Sequence, residues 1–128
     1  MAIIQTQTTS FKAELYQAIH NLTTDTLKIA LYTGNASLDA STTAYSSTNE
    51  ITGTGYTAGG VTITGVTVNS SGYTAYVSFN NPSCTSASFT ARAALIYNSS
   101  KANRSIAVLD FGADKTVSGN TFTITLPT

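Results

Sequence analysis

The chain predicts an all-β domain, mainly an antiparallel β-sandwich or small barrel, with one short N-terminal helix and an extended N-terminal arm. Three observations lead there. Runs such as "VTITGVTV" (61–68) and "TFTITLP" (121–127) alternate β-branched or aromatic residues with threonine, the period of a half-buried strand. Polar turn clusters, "NSSG" (69–72), "NSSKANR" (98–104) and "GADKTVSGN" (112–120), separate such runs at hairpin spacing. Only one segment carries a helical period. At 128 residues the chain is one domain by length, large enough for a core without disulfides.

Residues 1–9 read as the arm, with Ile3 and Ile4 its apolar grip, and 10–128 as the single domain. The arm is expected to be dispensable for folding and needed for binding. Ser10 is placed to N-cap the helix "FKAELYQAIH" (11–20). Phe11, Leu15, Ala18 and Ile19 then share one stripe, while Lys12, Glu14 and Gln17 face water. Ten residues cannot hold a helix alone, so the stripe must dock on a sheet. "LKIALYT" (27–33) reads as a buried strand. A polar stretch, 34–54, follows, anchored by Leu38, Tyr45 and Ile51; loops this long are often functional. Further strands are expected at 61–68, 73–79, 88–97, 105–111 and 121–127.

"EITGTGYTAGG" (50–60) contains Gly53, Gly55 and Ala58 at the G-x-G-x-x-A spacing of a dinucleotide loop. That mechanism needs a helix after the glycines, to present unpaired N–H groups to phosphate. A strand pattern follows instead, so the glycines read as a sharp corner into a strand.

Six basic and six acidic side chains leave no net charge, and charged residues are 9% of the chain, against roughly 25% in an average globular protein. No nucleic-acid footprint is visible. A hydroxyl-rich, weakly charged surface suits a protein packed against neighbours, since Lys and Glu are depleted in interfaces. No apolar run suits a membrane span, and the first residues lack the pattern of a secretion signal. The chain therefore reads as made in a cytoplasm.

The chemistry of catalysis is thin. His20 is the single histidine, so a His-based metal cluster is excluded; it is read as favouring the helix C-terminus. No G-x-S-x-G turn presents a serine. Glu14, Asp25, Asp39, Glu50, Asp110 and Asp114 are scattered singly, without a Ca²⁺ loop. Cys84, the single cysteine, reads as a small apolar residue. Strict alternation in "FTARAALIY" puts Arg92 opposite Ala91 and Ala93, to pair across strands or reach into an interface. No catalytic, cofactor-binding or metal residue is assigned, and the protein reads as non-enzymatic.

"SFKAELYQAIHNLTTDTLKIALYT", "NEITGTGYTAGGVTITGVTV", "FTARAALIYNSS" and "SIAVLDFG…KTVSGNTFTITLP" together resemble a family of small virion structural proteins of tailed bacteriophages. The resemblance runs from about Ser10 to Pro127, and "GTGYTAGG" and "FTAR…LIY" are its most specific parts. Many members carry a tryptophan ahead of the second block, where this chain has Cys84 and no tryptophan. The resemblance implies a particle component without catalytic residues, located on the virion. The expected role is a capsid decoration (cement) protein that bridges capsomers and stabilises the shell. Its partners would be the major capsid protein or other virion proteins and further copies of itself, as dimer or trimer. Ile3, Ile4, Tyr45, Ile51, Tyr56 and Arg92 are the expected contact residues. The alternatives are a neck or tail component of the same particle, or a carbohydrate-binding β module. Against the last, seven dispersed tyrosines and no tryptophan make a poor sugar platform.

Overall fold

A computed structural model describes the chain except residues 1, 2, 4, 5, 81 and 124–128. Among the described residues the protein is all-β with a single short helix. In chain order the elements are β1 (Thr6–Gln7), α1 (Thr9–Tyr16), β2 (Leu27–Tyr32), β3 (Val61–Thr62), β4 (Thr67–Ser71), β5 (Thr74–Ser78), β6 (Ser83–Asn98) and β7 (Arg104–Thr123). Five strands form a sheet in the order β1-β7-β6-β2-β3, and β4 and β5 pair separately. Every pairing between these strands is antiparallel.

The sheet is buried on both faces around β2 and the second half of β6, which explains the near-continuous apolar runs there. On one face, Leu27, Ile29 and Leu31 of β2 join Ala94 and Ile96 of β6 beneath Phe11, Ile51 and Ile63. On the other, Ala30, Tyr32, Ala93, Leu95 and Tyr97 lie beneath Ala36 and Leu38, with Ile3 and Tyr45 packed against them. The long polar stretch after β2 thus supplies the second layer. Its few apolar residues are spent as anchors into the sheet.

The helix differs from its sequence reading at both ends and in its face. It starts at Thr9, and Thr8, not Ser10, is the N-cap, accepting the Phe11 N–H at 3.4 Å. Thr8 is fully buried. Its N–H donates to the Ile106 carbonyl at 3.0 Å and its hydroxyl accepts from Ser105 at 3.0 Å. That ties the cap to β7, so this end of the arm belongs to the folded core. Glu14 is buried while Leu15 is 45% exposed, the reverse of the expected stripe, because Arg104 pairs with the carboxylate and His20 hydrogen-bonds to it from outside the helix. Replacing Thr8 by alanine should cost about 1–2 kcal/mol, the price of a cap, measurable as a lower urea midpoint with unchanged slope.

Two further corrections concern strands. "VTITGVTV" is broken at Gly65, where φ is +68°. β3 pairs with β2 while β4 pairs with β5. Residues 112–120 form no hairpin turn; they are part of the 20-residue β7, which pairs along β6 through several register shifts. Ala91 faces Lys115 and Ala93 faces Asp110, so Arg92 alone stands opposite residues 111–114. This β-bulge absorbs the glycine and the aspartate that read as a turn. It also switches face parity: Phe89 and Ala91 share a cluster with Ala94 and Ile96, while Ala93 lies on the other face. Strict alternation through Arg92 therefore fails. The described part of the last strand ends at Thr123, and Ile4, Ile124 and Leu126 lie outside the described residues.

Candidate functional site

The glycines of "GTGYTAGG" are corner residues that touch other strands. Thr54 bridges Ser88 of β6, and a Cβ on Gly53 would come within 2.6 Å of the Ser88 carbonyl oxygen. On Gly55 it would sit 2.8 Å from the Ala87 Cα. Among the described residues β3, not a helix, follows them, so the corner lacks the helix N-terminus whose N–H groups would meet a phosphate.

Glu50 fastens this corner to the sheet. Tyr45 donates its hydroxyl to Oε1 at 2.6 Å, the Gly59 N–H donates to Oε2 at 2.8 Å, and the Tyr56 hydroxyl donates to Oε2. The Tyr56 hydroxyl also accepts the Leu31 N–H at 3.0 Å, and Tyr97 donates to the Gly59 carbonyl. Tyr45 stacks on Tyr97 with ring centroids 4.7 Å apart. Farther along, Tyr32 donates to the Ser46 carbonyl at 2.6 Å, above a cleft of about 260 Å³ lined by residues of the 35–49 segment. Burial, then the Glu50 charge and hydrogen bond, hold the Tyr45 and Tyr56 phenols well above the usual range. They stay protonated donors at any ordinary pH, so the clasp does not open by phenol ionisation.

A second cluster ties α1 to the β6–β7 turn. Arg104 donates to Glu14 Oε2 at 2.8 Å, and His20 Nε2 lies 2.8 Å from Glu14 Oε1. Asn98, fully buried at the end of β6, donates through Nδ2 to Asp25 at 2.7 Å and accepts the Ser100 N–H at 3.0 Å. Those two partners fix the amide's orientation, so Nδ2 also donates to His20 Nδ1, 3.0 Å away. His20 Nδ1 is then an acceptor and Nε2 the donor. Lys101 completes the chain on Asp25 at 2.8 Å. His20 is thus a buried link beyond the helix, not a charge at its C-terminus. Both ring nitrogens are occupied, which suits it to bracing α1 rather than activating a hydroxyl. Among the described residues, no three His, Cys, Asp or Glu side chains gather as a metal site.

The expected contact residues are dispersed by this geometry. Ile51 is 3% exposed and has no surface to offer a partner; burial in the first core layer claims it. Tyr45 and Tyr56 spend their hydroxyls on Glu50. Arg92 lies 3.8 Å from Asp110 and 4.0 Å from Asp114, a cross-strand, partly exposed arrangement of small energetic weight. Ile3 forms a parallel bridge with Leu38; Ile4 is outside the described residues. Glu50 and Asn98 carry no motif that marks them: the partners of Glu50 converge only when the 45–59 segment folds back on itself, and His20 and Asp25 reach Asn98 from more than 70 positions away. No protein-family model, curated protein or solved structure matches the chain. Among the described residues, no helix is long and apolar enough to cross a membrane.

Proposed function

We propose that this protein is a non-enzymatic bacteriophage virion structural protein, a capsid decoration (cement) protein that bridges and stabilises capsomers. The observation that carries the reading is the braced 34–60 segment. A loop of this length on an enzyme commonly closes over a substrate. Here it is packed as a second layer and clasped by Glu50, which suits a rigid bracket. The outward side chains support the same role. Along the outer half of the β6–β7 hairpin, exposed residues such as Thr85, Ser88, Thr90, Thr116 and Ser118 offer hydroxyls with few charges to desolvate on docking. The resemblance to tailed-phage virion proteins points the same way.

The partners are the major capsid protein and further copies of the chain. With no net charge, attachment rests on apolar and hydrogen-bonded contacts, so salt screening matters little. Binding to shells stripped of the protein should change less than about threefold between low and roughly physiological salt. Release by moderate NaCl alone would contradict this and implicate Arg92, Lys101 and Arg104 as electrostatic anchors. Failure to bind shells at all would remove the decoration role.

A further inference from the structure

The β4–β5 hairpin holds both a knob and a hole. Tyr73 occupies the two-residue turn between Ser71 and Thr74 and is fully exposed. At the other end of the hairpin, Val68 pairs with Val77. These two valines, with Phe11, Leu15, Ala18 and Leu22, line an open groove of about 440 Å³, with Gln7, His20 and Asn21 completing it. That volume falls within the roughly 300–1,000 Å³ of sites that seat a compact organic group. Val68 is 56% exposed and Leu15 45%, so the groove is an unfilled apolar surface. Tyr73 cannot fill it within its own chain. It stands five residues beyond Val68 along an extended strand, roughly 15 Å away at the usual rise.

We propose that the groove is the docking site for Tyr73 of a second copy of this chain. A two-fold axis across the hairpin sets the two hairpins side by side and antiparallel. Each Tyr73 ring then enters the other copy's groove, the reciprocal contact that two-fold symmetry requires. A second copy fits because residues 67–80, "TVNSSGYTAYVSFN", carry no charge; like hairpins approach without repulsion. The knob is of the residue type that anchors interfaces, a rigid aromatic with a polar tip. Tyr16, 94% exposed beside Leu15, extends the apolar rim. The inference concerns self-association in solution and does not depend on the particle role.

The chain has no tryptophan, so Tyr73→Trp places a single indole reporter at the knob. Its emission should shift to the blue as protein concentration rises, in step with a doubling of mass by sedimentation equilibrium. Adding Val68→Lys in the groove should weaken the dimer at least about 30-fold, the scale of a lost hot spot, and keep the indole at its solvent-exposed wavelength. Val68 is exposed enough that the circular dichroism melt should be unchanged, and the melt separates lost docking from lost folding. If Val68→Lys unfolds the chain, Leu15→Lys serves as the groove variant. A protein that stays monomeric up to millimolar concentration would overturn the proposal. So would a dimer whose indole remains solvent-exposed, or one indifferent to the folded groove variants.

Discussion

Alanine at Gly60 should leave little folded protein. The loss is expected to be on the order of 4 kcal/mol or more, a large part of a domain's whole stability. Gly60 has φ +91°, where a side chain is strained whatever the space around it. Its surroundings add a second penalty. A Cβ would overlap the Ile29 carbonyl oxygen and lie 2.6 Å from its carbon and 2.8 Å from the Ala30 Cα. These are backbone atoms of β2, which pairs with Ile96 and Leu95 of β6 and cannot retreat without breaking the sheet. Gly72→Ala is the internal control. Gly72 has φ +60° but nothing within 4 Å of its Cβ position, so only the left-handed strain remains, about 1–2 kcal/mol. Urea unfolding of both variants measures the difference, and equal losses would show that close approach to β2 is irrelevant.

Asn98→Ala should be nearly as damaging, roughly 2–4 kcal/mol, because it strands several polar groups at once. His20 Nδ1 loses its donor, Asp25 loses one of its bonds and the Ser100 N–H loses its acceptor. The effect should also appear in the pH dependence. Burial alone would raise the Asp25 pKa; hydrogen bonds from Lys101, the Asn21 N–H and Asn98, with the Lys101 charge, outweigh it and bring the value from 3.8 to about 2. The folded value lies below the unfolded one. Asp25 therefore contributes its full stabilisation above about pH 4 and loses it as pH falls towards 2. Glu14, where burial opposes but the His20 and Arg104 hydrogen bonds prevail, is shifted the same way. Removing Asn98 takes away one of the interactions holding Asp25 ionised. Acid unfolding followed by circular dichroism should then begin at higher pH in the variant, and superimposable acid limbs would contradict the account.

The parts of the fold that were legible in the sequence are those decided locally or by burial. β2 and the second half of β6 are apolar on both faces, and their runs show it. The 34–54 stretch was recognisable as long and anchored, although nothing in it revealed that Leu38 and Tyr45 build a second layer. Illegible features depend on partners distant in sequence. Glu14 reads as a water-facing helix residue until Arg104, 90 positions away, reaches it. Residues 112–120 have the composition of a turn, and only pairing with β6 converts them into a bulged strand. The glycines at 53, 55 and 60 were readable as a corner, but not as close approaches to Ser88, Ala87 and Ile29. Glu50 has no motif around it; its phenol partners stand five residues before and six after, and only the folded corner brings them together.

If the chain is a structural part of a phage shell, as proposed, its copy number on the particle reveals it. Purified particles of a tailed phage that encodes the protein, run on a quantitative gel against the major capsid protein, give the ratio. A symmetric shell offers its decoration sites at many equivalent positions, so on the order of hundreds of copies per particle are expected. A count of roughly six or twelve, the symmetry of a neck or tail ring, would contradict decoration and place the protein in a connector. Absence from purified particles would contradict the structural role altogether.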